Sequence, residues 1–67
     1  MKITLDMIVA YNYECGKLLF FGRYEEAAEI TDHIRKAIKE DRITEDALEY
    51  WHNQFVDERM YHKYNFI

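Results

Sequence analysis

Sixty-seven residues with a net charge of −4 make at most one domain. The negative balance argues against direct binding to a nucleic-acid backbone, which needs a cationic face, and against docking on an anionic membrane. With 49% apolar residues, six Tyr, four Phe and one Trp, the chain is too rich in core-forming side chains to be disordered.

A domain this small buries roughly 60% of its unfolded surface and is marginal without a staple. Cys15 is the single cysteine, so an internal disulfide is excluded. The surplus of aromatic residues predicts that some apolar surface is buried against another chain, with a homodimer expected over a monomer. No apolar run approaches the roughly 18 residues needed to span a bilayer. The start, with Lys2 and the early Asp6, lacks the pattern of a secretory signal. The expected location is the cytoplasm, or a host cytoplasm for a phage-encoded chain.

The first element starts at a helix signal. In Ile3-Thr4-Leu5-Asp6-Met7-Ile8, Thr4 is the N-cap and Asp6 complements the helix dipole. Ile3 and Ile8 occupy the two positions of a hydrophobic staple. Ile8, Tyr11, Cys15 and Leu18 then recur at helical spacing, widened by Leu5 and Leu19. Ile3, Leu5, Met7 and Val9 also alternate as a strand would, but the capping residues favour a helix over about residues 4–21. Gly16 inside it predicts the close approach of another helix. Gly22 is the natural left-handed stop.

A second helix is predicted over about 23–42. Tyr24, Ala27, Ile30, Thr31, Ile34, Ala37 and Ile38 share one face, with Glu25, Glu29, Asp32, Lys36 and Lys39 opposite. Acids come first and bases last, as the macrodipole favours, and Asp32–Lys36 is a predicted i,i+4 pair. Asp41-Arg42 reads as a polar corner.

The third helix is predicted over about 44–62. It opens on a repeat of the first signal, Ile43-Thr44-Glu45-Asp46-Ala47-Leu48, and buries Ala47, Leu48, Trp51 and Phe55. An aromatic tail follows from about residue 61. The expected fold class is all-α: a compact three-helix bundle whose first two helices form an antiparallel hairpin.

The stretch Gly22-Arg23-Tyr24-Glu25-Glu26-Ala27 resembles the turn between the helices of a tetratricopeptide repeat, over about residues 11–38. Tyr11 matches the early aromatic of that family and Cys15 its small residue. Glu14, Thr31 and Lys39 depart from it, where a leucine, an aromatic and a proline are expected, and there is one copy where arrays need about three. The resemblance implies an antiparallel helical hairpin and, in function, protein binding.

The chemistry-bearing residues do not assemble into a catalytic pattern. His33, His52 and His62 lack the His-x-x-x-His spacing of a helical metal site, and Glu58–His62 reads as a solvated ion pair. Cys15 lies on the apolar stripe, as a structural thiol would. Adjacent surface acids such as Glu25-Glu26 or Asp57-Glu58 do not make an acid–base pair. A helix-turn-helix reader would present Glu45, Asp46, Glu49, Asp57 and Glu58 to phosphate. No catalytic residue, metal or cofactor is therefore expected.

What remains is an acidic, aromatic surface after Thr44: Glu49, Tyr50, Asp57, Glu58, Tyr61, Tyr64 and Phe66. Tyrosines of this kind are enriched in binding hot spots. The expected function is a non-enzymatic interaction module, a regulator or inhibitor of a larger protein. Small accessory proteins of bacteria and phages share this composition. A cationic groove of a nucleic-acid-handling enzyme is one surface it would fit. The alternative is a homo-oligomeric structural protein. A metal or thiol enzyme comes third.

Overall fold

The computed structural model describes residues 1–56 of the chain, in the order α1 (Leu5–Phe20), α2 (Tyr24–Lys39) and α3 (Glu45–Asn53). The fold is an all-α three-helix bundle. Helix α1 is its centre and makes the main contacts with both other helices.

The cap at Thr4 forms as its sequence requires. Thr4 Oγ1 accepts the backbone N–H of Met7 at 3.4 Å, and the staple residues Ile3 and Ile8 are both buried. The matching start at Ile43 is built differently. The Thr44 side chain does not cap α3; its hydroxyl donates to Asp46 Oδ1 at 2.6 Å, and that oxygen accepts the N–H of Ala47 at 2.9 Å. Asp46 takes over the capping duty.

The two starts also meet. Ile3 and Ile43 form a single parallel β-bridge, in which Ile3 N–H donates to Arg42 O at 2.9 Å and Thr44 N–H donates to Ile3 O at 3.0 Å. The alternation at Ile3 thus carries a trace of strand behaviour, confined to one residue. From the bridge α1 and α3 leave in the same direction, and Asn12 lies beside Tyr50 further along.

Two similar corners reverse the chain. After α1, Gly22 N–H donates to Leu19 O and Arg23 N–H to Leu18 O, at 3.1 and 2.8 Å, with Gly22 at φ 75°. After α2, Asp41 N–H donates to Ile38 O and Arg42 N–H to Ala37 O, at 3.1 and 2.7 Å, with Asp41 at φ 56°. Both are Schellman motifs, in which a left-handed residue satisfies the last carbonyls of a helix. The first gives the antiparallel hairpin that the tetratricopeptide resemblance implies. The second stops α2 at Lys39, short of the expected Arg42, because the left-handed turn at Asp41 breaks the helical hydrogen bonds.

The core consists of Ile3, Ile8, Cys15, Leu18, Leu19, Ala27, Ile34, Ala37, Ile43, Ala47, Trp51 and Phe55. Thr31, where the repeat family has an aromatic, is buried with its hydroxyl donating to Ala28 O at 3.0 Å. Three expectations are corrected. Tyr24 is exposed rather than buried on the α2 face. Asp32 pairs at i+3 with Arg35, at 3.6 Å, in place of the expected Lys36. Gly16 does not mark a close approach of another described helix, since among the described residues a Cβ there meets nothing within 4 Å.

The third helix is also shorter than expected, ending at Asn53. Continuing it would commit the Val56 N–H to the carbonyl four residues earlier. That N–H instead donates to Asn12 Oδ1 at 2.6 Å, while Phe55 turns into the core with its ring 4.7 Å from that of Trp51. The expected helical residues 57–62 lie outside the described residues.

Ile3→Ala should destabilise the chain by about 2–4 kcal/mol, since it empties a fully enclosed site beside the bridge. Asp41→Gly should stabilise it by about 0.5–1 kcal/mol, because glycine takes the left-handed turn without a Cβ penalty. Urea denaturation followed by circular dichroism reads both, and a loss of stability in the glycine variant would refute the account of the α2 corner.

Candidate interaction surface

The parallel departure of α1 and α3 leaves a groove between their exposed flanks. Leu5 from α1 and Asp46, Glu49, Tyr50, Asn53 and Gln54 from α3 and its end line a hollow of about 270 Å³. A second hollow continues past the bridge, lined by Thr4, Leu5, Asp6, Thr44 and Asp46. Asp6, Asp46 and Glu49 therefore border one continuous surface with an apolar contribution from Leu5 and Tyr50, and among the described residues neither hollow is lined by a cationic side chain.

Of the residues nominated from sequence, Glu49 and Tyr50 are brought together here. Glu49 is exposed and Tyr50 half-buried. The Tyr50 hydroxyl accepts a hydrogen bond from Asn12 Nδ2 at 2.8 Å, so its polar end is used inside the molecule, and Tyr50 also lines the groove. Asp57, Glu58, Tyr61, Tyr64 and Phe66 lie outside the described residues.

Asn12 is a residue that the sequence reading missed. Its amide donates to Tyr50 and its carbonyl oxygen accepts from Val56, so one half-buried side chain fixes the ring at the groove and the end of α3. A single polar residue on an otherwise apolar stretch of α1 was the available signal.

The other surface missed from sequence lies on α1 itself. Val9, Tyr13 and Phe20 are 44, 71 and 76% exposed. The helical spacing of Ile8, Tyr11, Cys15 and Leu18 was legible as burial on one side, and the structure shows an apolar second side as well.

The remaining candidates have plain surroundings. The Cys15 thiol is buried in the core, with Sγ 4.0 Å from Ala27 O. His33 is exposed and its ring meets Tyr11 edge-on at 5.7 Å. Among the described residues no group of three His, Cys, Asp or Glu is placed to hold a metal ion, and no helix is long and apolar enough to cross a membrane. Comparisons with protein-family models, with curated proteins and with solved structures find no match to this chain.

Tyr50→Phe should cost about 1 kcal/mol, the net value of one hydrogen bond. Asn12→Ala should cost more, about 1–3 kcal/mol, because it leaves the Val56 N–H without its acceptor. Amide hydrogen exchange at Val56 separates the two: it should speed up in the Asn12 variant and stay slow in the Tyr50 variant.

Proposed function

We propose that this chain is a small, non-enzymatic interaction module that binds a larger protein through the groove between α1 and α3, acting as a regulator or inhibitor. The observation that carries this reading is the pairing of apolar contacts from Leu5 and Tyr50 with the carboxylates Asp6, Asp46 and Glu49 along one surface. Such a surface complements an apolar segment flanked by lysine or arginine. Opposite charge at the rim speeds encounter and selects partners, while the apolar contact holds them.

The partner class favoured by this chemistry is a protein with a cationic cleft, of which nucleic-acid-handling enzymes are the broadest source. Occupying such a cleft with carboxylates blocks the phosphate path without any reaction on the inhibitor's side. Asp57, Glu58, Tyr61, Tyr64 and Phe66 belong to the same proposal, since they follow α3 in sequence with the same acidic and aromatic character.

The test is affinity capture from the source cell, followed by titration with the purified partner. Glu49→Lys should weaken binding at least tenfold at physiological salt, where a charge reversal at a rim is worth about 1.4 kcal/mol or more. Glu29→Lys, on the exposed face of α2, should leave the affinity within about twofold. Equal binding by the Glu49 variant would move the site elsewhere, and failure to retain any protein would remove the interaction reading.

A further inference from the structure

The exposed apolar residues of α1 form a stripe rather than a scatter. At about 100° per residue, Leu5, Val9, Tyr13, Gly16 and Phe20 fall within an arc of about 80°. Their spacing from Val9 onward is four, three, four, the repeat of a helix–helix seam. Gly16 leaves a gap in that stripe, where no described atom lies within 4 Å of a Cβ, and Tyr13, Gly16, Phe20 and Val56 line a shallow hollow there.

We infer that this stripe is the interface of a twofold homodimer, in which α1 packs antiparallel against α1 of a second copy. The charges at its edge select that occupant. Asp6 and Lys17 lie on the same edge of the stripe, about 20° apart around the helix and about 16 Å apart along it. In an antiparallel twofold pair each edge meets the same edge of the other copy at reversed height. Asp6 of one copy then faces Lys17 of the other, and the match occurs twice.

The register that makes this match also fits the apolar side chains. It places the axis midway between Asp6 and Lys17, close to Val9 and Tyr13. Val9 then enters between Tyr13 and Gly16 of the other copy, and Leu5 between Gly16 and Phe20. Gly16 gives the second helix its close approach. Lys17 is suited to this pairing, because among the described residues its contacts are weak: 3.9 Å to Glu14 Oε2 and 5.8 Å to the Tyr13 ring, with the side chain half exposed.

This inference goes beyond the proposed function and does not rest on it. It is tested on the full chain alone, with no partner present, by sedimentation equilibrium between about 10 μM and about 1 mM. The wild type should be a dimer across the upper part of that range. Asp6→Lys and Lys17→Asp, each separately, should weaken dimerisation at least tenfold. The double exchange should restore it to within about threefold of wild type, since the two pairs are re-formed with reversed sign. Val9→Lys replaces a side chain exposed in the monomer, and should give monomers with unchanged helical circular dichroism. A chain that stays monomeric at every concentration overturns the inference. So does a dimer indifferent to Val9→Lys, or one whose charge exchange fails to restore association while each variant remains folded.

Discussion

The parallel bridge between Ile3 and Ile43 is the contact on which the rest of the molecule depends. Forty positions separate these residues, and two backbone hydrogen bonds of 2.9 and 3.0 Å join them. Both side chains are buried, so the bridge also closes the end of the core. Buried N–H and C=O groups need partners. Ile3 finds both of its own on the segment that leads into α3. The segment reaches it only because Asp41 turns left-handed and brings Arg42 O and Thr44 N–H to face the first strand-like residue. One unusual backbone angle at an aspartate thus sets the relation of two helices.

That relation leaves α1 with two apolar sides, one in the core and one exposed. A three-helix chain has to use its central helix against both neighbours, and here α2 and α3 both pack on α1. The bridge holds α3 beside α1 rather than across it. Among the described residues, the nine of α3 do not cover the sixteen of α1. Val56, tied to Asn12, reaches the hollow beside Gly16. Val9, Tyr13 and Phe20 lie on the side of α1 turned away from the core and are exposed.

Most of the fold was legible in the sequence. The helix starts at Thr4 and after Thr44, the stop at Gly22, the amphipathic face of α2 and the hairpin all follow from local signals: capping chemistry, glycine and a 3.6-residue period. The points that escaped are long-range. Nothing local to Ile3 or Ile43 says that they will pair, and the same six-residue pattern was readable only as capping used twice. Nothing local to Val56 says that its N–H will leave the helix for Asn12. Asp41 could be read as a polar corner, yet an aspartate does not announce a left-handed turn as Gly22 does. Of the nominated surface, Glu49 and Tyr50 were legible as an acidic and aromatic pair on α3. Their groove also needs Leu5, which joins them only through the bridge.

Leu5 belongs to both surfaces. It lines the acidic groove and it begins the apolar stripe on α1. In the antiparallel register set by Asp6 and Lys17, Phe20 of the second copy falls opposite the start of α1, beside Leu5. The second copy would then supply an aromatic wall to a groove that is open in one chain alone. Association and partner binding would be linked, since both draw on Leu5 and Asp6, and the effect of each on the other is the same factor. For a small core such an arrangement would also remove the apolar stripe of α1 from water.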